Sequence, residues 1–122
     1  MSERLERFFG AWGEADDGAR MAALEDALAP GFTYSDPRSN GRVSDIGALN
    51  DYLAAFTANA PGWTASVVRS DTVNGYTRAL VAFGGPGPDG AKMVQHGTYF
   101  AETDDMGRIE TLAGFVGAGG IE

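Results

Sequence analysis

The residue with the clearest potential for chemistry is Asp36. It belongs to the segment 31–37, which we predict to be a short strand ended by Pro37. Strand alternation places Phe32 and Tyr34 on the same face as Asp36. A carboxylate on an apolar face loses hydration, so the position is unusual unless the carboxylate has a function or polar partners. Asp36 is therefore a candidate general base that removes a proton next to a carbonyl group. The alternative is that it only starts a turn and caps nearby N–H groups.

The second candidate catalytic residue is His96, the only histidine of the chain. On its predicted strand it shares a face with Val94, Thr98 and Phe100. There it could act as a hydrogen-bond donor or acid that faces Asp36 across a pocket. The alternative is a core histidine with one satisfied hydrogen bond. One histidine, no cysteine and scattered acids form no cluster with ligand spacing, so we predict no metal site.

Aromatic side chains are candidates for the lining of an apolar pocket around Asp36. The predicted ligand-binding residues are Trp12, Tyr34, Tyr52, Phe56, Trp63, Phe100 and Phe115. Trp12 and Tyr34 are expected to lie nearest the carboxylate, and for most of the others ordinary core packing is the alternative. Four arginines are expected to be solvated, and one of them could pair an acidic ligand at the pocket mouth: Arg38, Arg42, Arg69 and Arg78.

Length and composition exclude several classes of protein. The 122 residues correspond to one domain, and we treat 1–122 as a single unit. A net charge of −8 argues against nucleic acid or an anionic membrane as partner, because both require clustered Lys and Arg. The absence of cysteine excludes disulfides and thiolate catalysis. No signal peptide or membrane-spanning run is recognisable, so a cytoplasmic location is expected.

Cofactor and nucleophile motifs are also missing. The chain has no G-x-S-x-G sequence, which argues against an α/β-hydrolase nucleophile. The glycine-rich segment 84–90 (GGPGPDG) has no following Lys-Ser/Thr, so we interpret it as a hairpin loop and not as a phosphate-binding loop. No dinucleotide fingerprint follows a predicted strand. We therefore predict that no cofactor is needed.

The elements that must position these residues follow from hydrophobic periodicity. Residues 5, 8, 9 and 12 form the apolar stripe of a first helix, which Ser2 could cap. A second helix is predicted over about 19–29 and a third over about 45–59, with Ser44 as its N-cap. Beyond residue 62 the period changes from 3.6 to 2, which predicts strands over 63–73, 76–83, 92–102 and 108–116. Asn74-Gly75 is a strong signal for a type I′ hairpin turn, and the glycine-rich tail 117–122 is expected to be frayed.

This order of elements is typical of an α+β fold. Helices come early in the chain and strands late, so the helices are expected to cover a curved, mostly antiparallel sheet. Where such a sheet curls away from its helices, a pocket forms with an open mouth.

The sequence also resembles a known superfamily. Three features are similar to the nuclear transport factor 2-like superfamily: the motif Phe32-Thr-Tyr-Ser-Asp36-Pro37, Gly41 ahead of the third helix, and Gly107-Arg108-Ile109 opening the last strand. Within it the chain is most similar to SnoaL-like domains and ketosteroid isomerases. The resemblance covers nearly the whole chain and implies a cystatin-like cone of three N-terminal helices on a curved sheet.

The resemblance also implies an activity and roles for three residues. Asp36 falls where ketosteroid isomerases have their general base. Trp12 and His96 fall where those enzymes have an oxyanion-binding tyrosine and a protonated aspartate. Because this chain has a tryptophan and a histidine in place of that tyrosine and aspartate, steroid isomerisation is not the expected reaction. The implied chemistry is cofactor-independent isomerisation, cyclisation or dehydration of a small apolar carbonyl compound, as in an isomerase or a polyketide cyclase-like lyase.

Two further hypotheses remain open. The chain could be a module that binds a small hydrophobic molecule in the same pocket without chemistry. It could also be an interaction domain, since the predicted strand 76–83 is apolar on both faces. In that case the face turned away from the core is expected to pack on a second copy, giving a homodimer through the sheet.

Overall fold

The computed structural model describes residues 3–118. Ser2 and the residues after 118 lie outside the described part, and so do the predicted cap and most of the predicted tail. The elements in chain order are α1 (Glu3–Gly10), a 3-10 turn (Ala11–Gly13), α2 (Asp17–Ala27), β1 (Leu28–Ser35), α3 (Ile46–Asn59), β2 (Thr64–Val73), β3 (Tyr76–Pro86), β4 (Lys92–Thr103) and β5 (Ile109–Val116).

The first helix forms as its apolar spacing predicts. Leu5, Phe8 and Phe9 are buried, and the 3-10 turn that follows α1 carries buried Trp12 into the same core. The polar face stays in solvent, so this helix is held mainly by the burial of its aromatic stripe.

The prediction for the end of the second helix was two residues too long. Asp16 is the N-cap of α2 and accepts a hydrogen bond from the Ala19 N–H at 2.8 Å. The helix ends at Ala27, and β1 begins directly at Leu28. The physical reason is Pro30, which disfavours helical geometry at the residue before it. The strand accommodates this proline because β1 lies at the edge of the sheet.

The third helix begins one residue later than predicted. Asp45, and not Ser44, is the N-cap, and its carboxylate accepts a hydrogen bond from the Ala48 N–H at 2.9 Å. The inward stripe of α3 includes Leu49 and Leu53, which are fully buried. Tyr52 and Phe56 are half-buried on the same helix, beside that stripe.

The five strands form one curved sheet in the order β1-β5-β4-β3-β2. All neighbours are antiparallel except β1 and β5, which run parallel. Three helices therefore pack on a mostly antiparallel sheet, as predicted. Among residues 3–118 no helix has the length and apolar character needed to cross a membrane.

The two long hairpins differ in how well their limits were predicted. Asn74 and Gly75 have φ of 50° and 85°, which confirms the left-handed turn between β2 and β3. The β3–β4 pairing continues to Pro86 and Lys92, so the connecting loop is shorter than the predicted 84–90 segment. Trp63 stabilises this extension, because its indole N–H donates to the Pro86 carbonyl at 2.9 Å.

Candidate functional site

A cavity of about 960 Å³ lies between α3 and the inner face of the sheet. Its wall is mostly apolar and includes Trp12, Phe56 and Phe83. Three residues with hydroxyl or carboxyl groups, Asp36, Tyr52 and Tyr99, lie in the same wall. The volume is within the range of small-molecule pockets, so the inside of the cone is not filled solid with side chains.

Asp36 reaches the cavity through the alternation of β1. Phe32 and Tyr34 are buried on the inner face of that strand, and Asp36 follows them in the same phase at its end. Its carboxylate is half-buried and accepts hydrogen bonds from two tyrosine hydroxyls. Tyr34 donates to Oδ2 at 2.5 Å, and Tyr52 bridges Oδ1 and Oδ2 at 2.8 and 2.9 Å.

The same carboxylate also caps the turn after β1. The backbone N–H groups of Arg38 and Ser39 donate to Oδ1 at 2.8 and 2.6 Å. These contacts agree with the turn-capping interpretation of Asp36, and its role as a general base stays a prediction. Oδ1 holds the turn in the way expected of an Asx motif, whereas Oδ2 accepts only from tyrosine hydroxyls.

Three tyrosines around the carboxylate are held in the protonated form. Burial raises the pKa of Tyr34 well above its ordinary value, and the nearby Tyr99 and Asp36 raise it further. Burial is also the main cause of the raised pKa of Tyr52 and of Tyr99. A protonated phenol donates one hydrogen bond, so at neutral pH Tyr34 and Tyr52 can stabilise a negative charge on Asp36.

Of the three tyrosine hydroxyls, that of Tyr99 makes the longest hydrogen bond. Its oxygen lies 3.4 Å from the Tyr34 hydroxyl, which is longer than an ordinary O–H···O bond. The Tyr34 proton is already directed at Asp36, so the Tyr99 hydroxyl can donate either weakly to Tyr34 or to a group in the cavity. Two glycines make room for its ring: a Cβ at Gly114 would lie 2.6 Å from Tyr99 Cζ, and one at Gly97 would lie 3.2 Å from Cε1.

The two tryptophans of the cavity wall differ in how their indole N–H groups are used. Trp63 donates to the Pro86 carbonyl at 2.9 Å. The Trp12 side chain is 97% buried, and its Nε1 has no hydrogen-bond acceptor among residues 3–118. The ring of Trp12 is enclosed by aromatic neighbours, including Phe56 at 5.0 Å and Phe83 at 5.4 Å between ring centroids.

The structure does not bring His96 and Asp36 into contact. His96 lies at the rim of the cavity and is exposed. Strand alternation gives its side chain the phase of Thr98 and Phe100, whereas the inner face carries Tyr99. Within the described residues its imidazole makes no hydrogen bond. A catalytic role for His96 stays a prediction.

The structure brings together five of the seven residues predicted to line a pocket. The cavity wall includes Trp12, Tyr52, Phe56, Trp63 and Phe115. Tyr34 is fully buried behind the carboxylate and contacts it directly. Phe100 lies on the outer face of the sheet, 48% exposed, where its ring contacts that of Phe115 at 5.8 Å. Binding of a ligand by any of these residues stays a prediction.

Two aromatic wall residues were not singled out from the sequence. Phe83 and Tyr99 were assigned to strands without a role, because apolar residues lie on both faces of those strands. Arg38 is the only one of the four arginines considered above that lies in the wall. Arg78, in contrast, pairs with Asp71 at 2.9 Å on the outside.

No residues suited to a metal ion come together in the described part of the chain. Among residues 3–118, groups of three or more His, Cys, Asp or Glu side chains with the required proximity are absent. The cavity wall itself offers one carboxylate, that of Asp36, and the hydroxyl groups of Tyr52 and Tyr99.

Comparison with solved structures identifies the fold. No family model and no curated protein matches the sequence. A SnoaL-like family protein from Agrobacterium tumefaciens, a candidate isomerase, superposes with a TM-score of 0.78 at 22% identity, over 94% of this chain and 95% of that chain. A candidate SnoaL-like polyketide cyclase from Jannaschia matches with a TM-score of 0.72 at 20% identity, over 93% and 82% of the two chains.

A third structure shows the same architecture without an assigned activity. An NTF2-like protein of unknown function from Exiguobacterium has a TM-score of 0.72 at 19% identity, over 96% of this chain and 99% of that chain. At these identities the likeness establishes the fold and not the reaction. The chain therefore shares its α+β fold with these SnoaL-like, NTF2-like and ketosteroid isomerase-like structures.

Proposed function

We propose that the protein catalyses cofactor-independent proton transfer on a small, apolar carbonyl compound, with Asp36 as the general base. One observation carries the proposal: the Asp36 carboxylate lies in the wall of a mostly apolar cavity together with neutral tyrosine hydroxyls. Isomerisation, aldol-type cyclisation and dehydration all begin with removal of a proton next to a carbonyl group. The candidate isomerase and candidate polyketide cyclase with the same fold support this class of reaction.

The mechanism uses the two sides of the carboxylate differently. Oδ1 stays fixed by the Arg38 and Ser39 N–H groups, which orient the carboxylate. Oδ2 takes the proton. For this to happen, the Tyr52 hydroxyl releases its longer hydrogen bond, the one to Oδ2. The Tyr99 hydroxyl donates to the carbonyl oxygen as negative charge develops there, because burial keeps that phenol protonated.

A second candidate function is favoured because the hydrogen-bond acceptor positions of the Asp36 carboxylate are all occupied. Oδ2 accepts from two hydroxyls and Oδ1 from three donors, which uses the lone pairs that a carboxylate offers. If those contacts never open, Asp36 is a structural cap and the cavity only binds a small hydrophobic molecule.

The exchange of carbonyl-adjacent protons distinguishes the two functions. The ketone 2-tetralone is apolar, fits the cavity in size and has acidic protons beside its carbonyl. We expect the protein to accelerate exchange of these protons in D₂O, measured by ¹H NMR, and Asp36→Asn to reduce that acceleration by about 10²- to 10⁴-fold. Asp51→Asn is the matched control, since Asp51 is an exposed carboxylate on α3 outside the cavity wall.

Two results would contradict the catalytic proposal. One is an exchange rate that Asp36→Asn leaves unchanged. The other is no acceleration although tryptophan fluorescence shows that 2-tetralone binds, which would favour the binding function. Trp12 and Trp63 report binding directly, because both lie in the cavity wall.

A further inference from the structure

Arg38 is the one arginine or lysine in the described part of the cavity wall. It follows Asp36, the one carboxylate of that wall, by two residues. The Arg38 backbone N–H donates to Asp36 Oδ1 at 2.8 Å, so the turn that orients the carboxylate also fixes the point from which the arginine side chain extends. A guanidinium group stays protonated in proteins, so a permanent positive charge borders the apolar cavity.

The Arg38 guanidinium has no carboxylate partner within the described chain. The ion pairs among residues 3–118 use four other arginines, namely Arg7, Arg20, Arg78 and Arg108. The Arg38 side chain is exposed and forms no ion pair with Asp36. On an outer surface, hydration alone accounts for such a side chain. At the border of an apolar cavity, the same group can also contact a bound molecule.

The distribution of charge distinguishes this wall from the rest of the molecule. The chain has 9 basic and 17 acidic residues, so most of its surface repels anions. The described cavity wall instead balances one carboxylate with one guanidinium. Burial is the main cause of the raised pKa of Tyr52, and the positive charge of Arg38 opposes that rise. The charge of Arg38 therefore acts on the same hydroxyl that donates to Asp36.

We infer that Arg38 binds an anionic group, and that the ligand of the cavity is an amphipathic carboxylate whose apolar part lies inside the cone and whose carboxylate contacts Arg38. A planar guanidinium can hold a carboxylate through two parallel hydrogen bonds. The aromatic wall, which includes Phe56 and Phe83, buries the apolar part. This inference rests on the proposed binding role of the cavity, and it narrows the proposed carbonyl compound to one that also carries a carboxylate.

The compounds 2-naphthoate and 2-naphthamide are the probes for the test. They have the same ring system and nearly the same shape, and they differ in charge because a neutral carboxamide replaces the carboxylate. Neither has a proton on the carbon next to its carbonyl, so their binding does not depend on Asp36 as a base. The 2-tetralone exchange measures proton transfer without an anionic group. Failure of this inference can thus be distinguished from failure of the proposed reaction.

We expect 2-naphthoate to bind the unmodified protein about fivefold more tightly than 2-naphthamide in calorimetric titration at low ionic strength, the effect of one exposed ion pair. The net charge of −8 alone predicts the opposite order. Added salt should reduce the preference, because exposed charges are screened.

Substitutions of two arginines assign the preference to one side chain. Arg38→Gln should remove the preference for the anion, whereas Arg38→Lys should keep part of it, since the charge remains and the planar fork is lost. Arg42→Gln is the matched control and should keep the preference in full. Arg42 is an exposed arginine of the same connection between β1 and α3, and it lies outside the cavity wall.

The side-chain N–H signal of Arg38 in a ¹⁵N–¹H spectrum gives a second measurement on the unmodified protein, and its absence from the spectrum of Arg38→Lys assigns it. The carboxylate probe should move this signal, and the carboxamide should not. The inference is overturned if neither compound binds, if the carboxamide binds as tightly as the carboxylate, or if Arg38→Gln keeps the preference. It is also overturned if the Arg38 signal stays in place when 2-naphthoate binds, as expected for a guanidinium that contacts only water.

Discussion

Asp36 shows how one side chain can serve the fold and a candidate site together. Its Oδ1 accepts two backbone N–H groups and closes the turn after β1, and its Oδ2 accepts hydroxyl protons beside the cavity. The turn contacts prevent rotation of the carboxylate. In the proposed reaction such a restriction would favour catalysis, because the base would not have to be oriented when a molecule binds.

The tyrosines beside Asp36 lead to a prediction about pH. The unfolded chain releases phenolic protons near pH 10, whereas the raised pKa values of Tyr34, Tyr52 and Tyr99 keep those protons in the folded state. Above pH 10 the unfolded state then binds fewer protons than the folded state, so the free energy of unfolding falls as pH rises. Below pH 10 these three tyrosines cause no change in the free energy of unfolding with pH.

Absorbance at 295 nm measures this directly. In guanidinium chloride all four tyrosines of the chain should ionise together near pH 10, whereas in the folded protein three of them should ionise only at higher pH or on unfolding. The slope of the unfolding free energy should reach about 1.4 kcal/mol per pH unit for each fully protected phenol. Ionisation of all four groups near pH 10 without unfolding would contradict the burial of these hydroxyls.

Among the strands, β4 and β5 position Tyr99 through two glycines. A Cβ at Gly114 would overlap the Tyr99 ring, with 2.6 Å to Cζ. Gly114→Ala is therefore expected to lower the free energy of unfolding by about 1–3 kcal/mol, measured by urea denaturation. It should also displace the ring from Tyr34 and reduce the acceleration of 2-tetralone exchange.

The matched control for this substitution is Gly10→Ala. Gly10 ends α1 with φ of −60°, and a Cβ there would meet nothing within 4 Å. The control should leave stability unchanged or raise it by up to about 1 kcal/mol through helix propensity. Equal stabilities of the Gly114→Ala variant and the unmodified protein would mean that Tyr99 does not occupy the inner face tightly.

The same strands show what the sequence could and could not predict. Alternation within β1 is a local pattern, and it sufficed to place Phe32, Tyr34 and Asp36 on one face. The inner face of β4 could not be chosen in this way, since both faces carry apolar residues. Tyr99 is inward because Gly114 on the neighbouring strand leaves space for it. Such a contact depends on the pairing of β4 with β5 and not on local spacing.

The first and last residues of the helices were predicted less well than their buried faces. As for Tyr99, the outcome depends on individual contacts and not on a repeated pattern. The stripe of α3 depends on many residues, so one wrong cap does not change it. Its start depends on whether Ser44 or Asp45 accepts the capping hydrogen bond, and both residue types are good N-caps. At α2 the pairing of Leu28 with Ile109 begins the strand earlier than the local sequence indicates.

At the scale of the whole molecule, the outer face of the sheet carries exposed apolar side chains. Phe100 and Val94 on this face are 48% and 51% exposed, and Phe115, which contacts Phe100 and also borders the cavity, is 56% exposed. Such surfaces are often covered in the assembled protein. We therefore expect a homodimer through this face, measured as twice the monomer mass in sedimentation equilibrium at micromolar concentration.

A charge introduced at the centre of that face tests the expected contact. Phe100→Glu should yield a monomer with unchanged circular dichroism, because the side chain lies outside the core. Met106→Glu is the control, since Met106 is 69% exposed in the turn between β4 and β5. A monomeric unmodified protein would contradict the dimer but would leave the cavity and its proposed chemistry unaffected.

The central claim is that Asp36 acts on a molecule held inside the cone. The most direct measurement is a crystal structure of the complex with 2-tetralone. We predict that the ketone lies in the cavity with a carbon next to its carbonyl within about 3.5 Å of Asp36 Oδ2, as a near-attack geometry requires. A ketone bound elsewhere on the surface, or an Asp36 carboxylate closed off from it by Tyr52, would contradict the claim.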